Sequence, residues 1–173
     1  MLELMVVVLI ISIVAITAMP LLRKQIAMRE IDFVARKFIA HAQFARQQAL
    51  HLGVTVQINP NFEKGWSGGW VVTTACSKQS AKFSCDGKAW LSQGAIDPIF
   101  FKGGGKQWID PHTGKPGILF NPAGAAKTGQ GGFVANRLIL GHRHAPDLER
   151  QLILGSGGRW RICNPVNDAK RCH

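Results

Sequence analysis

The chain has 173 residues, with 21 Lys plus Arg, 10 Asp plus Glu and a formal net charge of +11. Hydrophobic residues make up 46% and charged residues 18%, a balance that excludes a disordered or collagen-like chain and predicts one globular unit. The excess of positive charge favours anionic partners.

The first predicted element is an apolar helix of membrane length. No charged residue lies between Glu3 and Arg23, a stretch of nineteen residues, and a helix of this length covers roughly the 30 Å of bilayer hydrocarbon. A secretory signal peptide is the alternative, but it begins with basic residues and ends at a small-residue cleavage site. Here Arg23 and Lys24 follow the apolar stretch, so a retained anchor is favoured. We therefore expect residues 1–23 to form the membrane half of the helix and residues 24–173 the globular domain.

Beyond Pro20 the pattern predicts an amphipathic helix. Apolar residues recur at steps of three or four: Ile31, Val34, Phe38, Ala42, Ala45, Ala49 and Leu52. Gly53 is a natural helix stop, so one helix that ends at about residue 53 and kinks near Pro20 is expected. Two separate helices broken at Pro20 are the alternative.

After Gly53 the pattern changes to strands. Val54, Val56 and Ile58 alternate with polar residues, and Asn59-Pro60 is expected to end this run. Glycine-rich turns separate the further predicted strands, which cover residues 69–75, 95–101, 117–120, 133–140, 151–154 and 159–163. The sequence therefore predicts an α+β fold in which a long helix packs on antiparallel sheets.

The beginning of the chain resembles a known family. The run from Leu2 to Ile11, with Glu3 and a proline seventeen residues later at Pro20, is similar to the N-terminus of mature type IV pilins and type II secretion pseudopilins. The resemblance implies that Glu3 neutralises the N-terminal amine of a neighbouring pilin subunit during assembly. It also implies processing by a prepilin peptidase, although Met1 stands where the family has leucine and the Gly-Phe-Thr processing site is missing.

Four later stretches narrow the resemblance to the GspH/FimT group of minor pilins and pseudopilins. They are residues 45–50, 66–72, 118–124 and 157–163. The resemblance implies a pilin-like fold with a β-sandwich-like body. It also implies a single-pass bacterial inner-membrane protein with a periplasmic domain, assembled with other pilin subunits into a type IV pilus.

The four cysteines fall into two close pairs, Cys76 with Cys85 and Cys163 with Cys172. Four cysteines allow three connectivities, of which we favour local pairing. Disulfides suit the oxidising periplasm, and the second pair would hold the C-terminal tail as a fixed loop.

No catalytic residue, metal site or cofactor is expected. His142 and His144, with His112 or a thiol as a third ligand, match no zinc spacing. Ser156 lies in a glycine-rich turn without a nucleophile elbow. Solvated histidines are the simpler interpretation.

Positive charge concentrates near the C-terminus. Residues 113–173 contain nine basic and three acidic residues, and arginine suits phosphate because its donors form a planar fork. In a strand, Arg159 and Arg161 would share one face, while Trp160 is either buried on the other face or stacked on a base. The candidate DNA-binding residues are Arg137, Arg143, Arg159, Trp160, Arg161, Lys170 and Arg171.

The stretch Gly158-Arg159-Trp160-Arg161 resembles the Gly-Arg-x-Arg tail motif of FimT-type minor pilins, which bind DNA during natural transformation. The resemblance implies that the chain binds extracellular double-stranded DNA without sequence specificity. The alternative is a structural minor pilin or a type II secretion pseudopilin that primes assembly and does not bind DNA. A solvated edge strand is the simplest explanation of the same arginines.

Overall fold

A computed structural model describes residues 2–61, 65–74, 77–79, 82–84, 89–102, 117–127, 132, 136–155 and 157–172. The first element is one helix, α1 (Leu2–Leu52), which continues through Pro20, so the prediction of a single helix is confirmed. Its apolar first half is long enough to cross a membrane, and none of the most apolar stretch is buried in the protein. The helix therefore has a free apolar half and a packed half.

The packed half of α1 buries one face. Its buried residues follow the helical repeat, namely Ala27, Ile31, Val34, Ala35, Phe38, Ala42, Ala45 and Ala49. Leu52, predicted on this face, is the last residue of the helix and is 49% exposed. Gly53 follows with a φ of +64°, a left-handed conformation that commonly ends helices at glycine.

Within the described part of the chain, the longer elements after α1 are strands. Their bounds are β1 Val56–Asn61, β2 Gly65–Thr74, β3 Ser77–Gln79, β4 Lys82–Ser84, β5 Leu91–Gln93, β6 Ile99–Phe101, β7 Ile118–Phe120, β8 Ala126–Lys127, β9 Asn136–His142, β10 Ala145–Leu154 and β11 Trp160–Cys163. A short 3₁₀ helix, Ala169–Arg171, follows. The predicted strand over 95–101 is wrong in its first half, because Asp97-Pro98 forms a turn before β6.

The strands form two main antiparallel sheets and one small hairpin. The first sheet has the order β5-β2-β1-β7-β8, the second has the order β11-β10-β9-β6, and β3 pairs with β4. The buried face of α1 and the inner faces of both main sheets share one hydrophobic core. The prediction of a long helix packed on antiparallel sheets is confirmed.

The sequence predicted that Pro60 ends the first strand, but the strand continues through it. Pro60 lies within β1 opposite Trp70, and the register shifts directly after it. Within the described residues, β7 pairs only with Val56 to Ile58, so Pro60 lies beyond that pairing. A proline lacks the N–H donor of a ladder and is tolerated at edges and bulges, which is why β1 continues through it.

Phe38 of α1 is the centre of an aromatic cluster. Its ring meets those of Trp66, Trp70, Phe101 and Trp160 at centroid distances of 5.0 to 5.8 Å. These rings come from β2, β6 and β11, so one helical side chain joins strands of both main sheets. Aromatic pairs in such edge-on arrangements are worth about 0.5–1.5 kcal/mol beyond their buried area.

His41 lies one helical turn beyond Phe38, beside the same cluster. The indole Nε1 of Trp70 donates a hydrogen bond to His41 Nδ1 at 3.1 Å. Burial lowers the pKa of His41 below its ordinary value, and the positive charge of Lys37 lowers it further. The neutral imidazole is therefore the form that suits this packing.

Two polar pairs attach α1 to the second sheet. Arg150 of β10, which is buried, places its Nε 2.6 Å from Oδ1 of Asp32. His142 of β9, also buried, places Nε2 2.9 Å from Oε2 of Glu30, while its Nδ1 accepts the backbone N–H of His144. Both ring nitrogens of His142 are thereby engaged.

Candidate nucleic-acid interface

A tight turn between β10 and β11 presents the Gly-Arg-Trp-Arg stretch. The N–H of Gly155 donates to Arg159 O, and the N–H of Gly158 donates to Gly155 O, both at 2.9 Å. Gly158 has a φ of +77°, and a Cβ there would lie 2.6 Å from Gly124 O and 2.9 Å from Arg46 Nε. Position 158 therefore requires glycine for both its conformation and its lack of a side chain.

The side chains of this stretch alternate as the strand pattern predicts. Arg159 and Arg161 are exposed, whereas the ring of Trp160 lies edge-on against Phe38 at 5.4 Å. Trp160 is removed from the set of residues expected to touch DNA, because its ring packs inward and is not offered for base stacking. Its indole Nε1 is buried and has no hydrogen-bond partner within the described residues.

Strand register brings Arg137 to the same row as Arg161. Arg161 of β11 is opposite Ile153 of β10, and Ile153 is opposite Arg137 of β9. Directly paired residues of an antiparallel sheet point to one face, and neighbouring strands lie about 4.8 Å apart. The backbones of Arg137 and Arg161 are therefore about 10 Å apart. We call Arg137, Arg159 and Arg161 the distal surface.

The structure does not bring Arg143 to the distal surface. Arg143 follows β9, six residues beyond Arg137, which places it about 20 Å away along the strand direction. Its Nη1 lies 3.1 Å from Oδ1 of Asp97, and both side chains are well exposed. Counting charges along the sequence could not separate these two ends of the sheet.

The end of the sheet that carries Arg143 faces the membrane half of α1. A cleft there is lined on one side by helix residues between Met19 and Glu30 and on the other by Pro98, His142 and residues 144–148. The distal surface lies at the opposite end, beside Arg46. Arg46 is 24 residues beyond Leu22, or roughly 36 Å along the helix.

A disulfide joins Cys163, the last residue of β11, to Cys172, with their Cα atoms 5.5 Å apart. The segment between them is further closed by the N–H of Asp168, which donates to Asn164 O at 2.8 Å. Lys170 is exposed on the short helix of this loop, and Arg171 is the last residue of that helix. The other predicted pair, Cys76 with Cys85, lies outside the described residues, as do His112 and Ser156.

Two further arginines behave differently from the sequence-based expectation. Arg150, counted with the basic C-terminal third, is buried and paired with Asp32, so it adds no surface charge. Arg46 was not predicted to take part in the interface, yet its Nε donates to Gly124 O at 2.7 Å directly below Gly158. The sequence offered one indication of a role for Arg46, because it lies in residues 45–50, one of the stretches that resemble the GspH/FimT group.

Within the described residues, no three His, Cys, Asp or Glu side chains are grouped as a metal would need. His142 and His144 lie together, with ring centroids 5.7 Å apart, but the nitrogens of His142 already face Glu30 and the backbone of residue 144.

Comparison with solved structures identifies the fold. The type IV minor pilin FimU of Pseudomonas aeruginosa PAO1 superposes with TM-scores of 0.55 and 0.53 in two crystal forms, at 14% identity. The matches cover 80% and 79% of this chain and 92% and 94% of FimU. The minor pseudopilin EpsH from the Type 2 Secretion System of Vibrio cholerae gives a TM-score of 0.52 at 11% identity, over 79% of this chain and 98% of EpsH. At these identities the likeness concerns the fold.

A search of curated protein sequences gives no match. The profile of the family described as type II transport protein GspH matches residues 34–158. The family and fold are those of structural pilins rather than enzymes. The apolar half of α1 and the family together fit a periplasmic pilin anchored in the inner membrane. The chain thus belongs to the GspH family and is a minor pilin or pseudopilin.

Proposed function

We propose that this chain is a minor type IV pilin that binds extracellular double-stranded DNA through its distal surface during natural transformation. The observation that carries the proposal is the outward placement of Arg159 and Arg161 at the end of the body farthest from the membrane half of α1. The side chain of Arg159 has no hydrogen-bond or ion-pair partner in the part of the chain that the structure describes. An uncompensated guanidinium is available for a phosphate oxygen.

Distance from the membrane supports DNA over lipid as the anion. The turn that carries Arg159 packs beside Arg46, roughly 36 Å along the helix from Leu22. Electrostatic attraction between exposed charges is screened within about 8 Å at physiological salt. Phospholipid headgroups therefore do not account for a basic surface at this height.

The described elements near the distal surface offer no helix to insert into a DNA groove. Contacts of arginine with phosphates position a protein on DNA and carry no sequence information. The proposed binding is therefore independent of sequence and weakens steeply with salt, because each phosphate contact releases counterions. With few arginines engaged per subunit, a single copy binds weakly.

The test is a salt titration of DNA binding by the full chain in zwitterionic nanodiscs. Arg159→Ala combined with Arg161→Ala should reduce affinity about tenfold at low salt and lower the slope of log K against log salt by about 2. Arg143→Ala, a charge change at the opposite end of the sheet, is the control and should leave the slope nearly unchanged. Equal affinity of the double variant and the unaltered protein would contradict the proposal.

The second candidate is a structural subunit that primes a pilus or a type II secretion pseudopilus. The likeness in fold to both a minor pilin and a pseudopilin favours keeping it. In this function Glu3, in the first turn of α1, pairs with the N-terminal amine of a neighbouring subunit, and the arginines face other subunits. The double arginine variant would then reduce fibre number or secretion and leave DNA affinity unchanged. Transformation measured in cells that still assemble pili separates the two functions.

A further inference from the structure

Arg46 lies where the two main sheets meet the distal part of α1. β8 is at one edge of the first sheet and β11 is at one edge of the second. The turn between β7 and β8 contributes Gly124 O, which accepts the hydrogen bond from Arg46 Nε. The turn between β10 and β11 contributes Gly158, which lies against both partners. Arg46 therefore joins the helix to two turns of different sheets.

The β7–β8 turn is itself well fixed. The N–H of Gly124 donates to Asn121 O, and the side-chain Oδ1 of Asn121 accepts the N–H of Ala125, both at 2.8 Å. A Cβ at Gly124 would lie 3.0 Å from the side chain of Leu50, so the turn is also packed closely on the helix. Gly124 O is consequently a stationary acceptor for Arg46.

Arg159 lies between two anchored neighbours. Gly158 is held against Gly124 O and Arg46, and Trp160 packs against Phe38. The carbonyl of Arg159 accepts the N–H of Gly155, so the backbone of this residue is bonded while its side chain is exposed. A side chain whose backbone is fixed before binding loses less conformational freedom when it meets a ligand.

We infer that Arg46 is a positioning residue that holds the Gly155–Arg159 turn in place and so fixes the direction in which Arg159 is presented to phosphate. The consequence for DNA affinity rests on the proposed function, whereas the effect on the turn does not. In this arrangement Gly158 has no side chain, and Arg46 and Gly124 O occupy the space that a side chain there would fill. DNA affinity then depends on Arg46, although Arg46 itself does not bind phosphate.

The test is Arg46→Lys in the full chain in zwitterionic nanodiscs, because lysine keeps the charge but lacks the Nε–H geometry of arginine. Amide hydrogen exchange over the Gly155–Arg159 turn should become about tenfold faster. DNA affinity should fall about fivefold, with an unchanged salt slope. Arg36→Lys, a replacement of an exposed arginine on the same helix, is the matched control and should change neither quantity.

Gly158→Ala provides a second variant that keeps every charge. It should accelerate exchange at the same turn, with near-ultraviolet circular dichroism of the tryptophans used to check that the core is intact. Unchanged exchange in Arg46→Lys, or faster exchange with undiminished DNA affinity, overturns the positioning role. Faster exchange in a protein whose unaltered form does not bind DNA supports the positioning role and removes only the proposed function.

Discussion

Arginines meet different partners at the distal end of the body and in the rest of it. In the middle of the second sheet Arg150 meets the carboxylate of Asp32, and at the membrane-facing end Arg143 meets that of Asp97. At the distal end, Arg46 meets a backbone carbonyl and Arg159 is exposed. A carboxylate neutralises a guanidinium, whereas a carbonyl leaves its full charge in place. The same residue type thus stabilises the fold in the middle of the sheet and offers positive charge at the distal end.

The largest expected effect comes from the buried arginine that a carboxylate neutralises. Asp32→Ala leaves the buried guanidinium of Arg150 without its carboxylate, and loss of one member of a buried pair is strongly destabilising. We expect a loss of about 2 kcal/mol in the free energy of unfolding, less than for a fully buried pair because the Asp32 side chain is 41% exposed. Denaturant unfolding measures it, with Asp147→Ala as the control at an exposed acid. A change below about 0.5 kcal/mol would be that of an ordinary surface site.

The next effect comes from placing a carboxylate at the distal end. Ile153 lies in register between Arg137 and Arg161, so Ile153→Glu gives the distal surface a carboxylate, as Asp32 gives Arg150 and Asp97 gives Arg143. DNA affinity should fall about tenfold at low salt while the melting temperature changes little. His144→Glu, which adds the same charge at the β9–β10 turn, should have much less effect. Equal losses in the two variants would mean that only net charge matters.

A smaller effect concerns pH and the aromatic cluster below the distal end. Because the pKa of His41 is lowered by burial and by Lys37, the unfolded chain binds more protons than the folded one at pH values between the lowered pKa and the ordinary 6.5. Stability therefore falls as the pH drops through about 6.5. We expect a modest decrease in melting temperature from pH 7 to pH 5.

His41→Gln should remove this part of the pH dependence. The quantity to compare between the variant and the unaltered protein is the decrease in melting temperature from pH 7 to pH 5. The two proteins differ only at residue 41, so the contribution of every other group is the same in both. A variant with the same pH dependence as the unaltered protein would show that His41 is not responsible.

The last variant is expected to leave both stability and DNA affinity nearly unchanged. Asp97→Ala removes the partner of Arg143 and raises the net charge by one. Exposed ion pairs contribute about 0–1 kcal/mol, so stability should hold. DNA affinity should change less than about twofold, because Arg143 lies about 20 Å from Arg137. A clear gain in affinity would place DNA on the membrane-facing end instead.

The sequence predicted the elements whose burial follows a simple period. The buried face of α1 repeats every three or four residues, and the alternation around Trp160 gave the correct face for each of its neighbours. Both predictions succeed because a local repeat decides which side of an element meets the core. Short strands such as β8 carry too few residues for such a repeat and were missed.

The interface was harder to predict, since it depends on partners distant in sequence. The sequence does not distinguish Arg150 from Arg159. In the structure Arg150 pairs with Asp32 of α1, whereas Arg159 reaches solvent. Arg137 joins Arg161 only through strand register. Arg46 reaches Gly124 across 78 positions of sequence. The prediction for Pro60 was wrong for the same reason, because a proline is tolerated there only where β7 has stopped pairing with β1.

The contact between Phe38 and Trp160 also orders events in time. Among the described elements, Phe38 belongs to the first and Trp160 to the last strand, so this contact forms only once both ends of the globular body have come together. Pairings between segments so far apart close slowly compared with helix formation. Under the proposed function, the capacity to bind a polyanion is therefore acquired late, by a completely folded subunit.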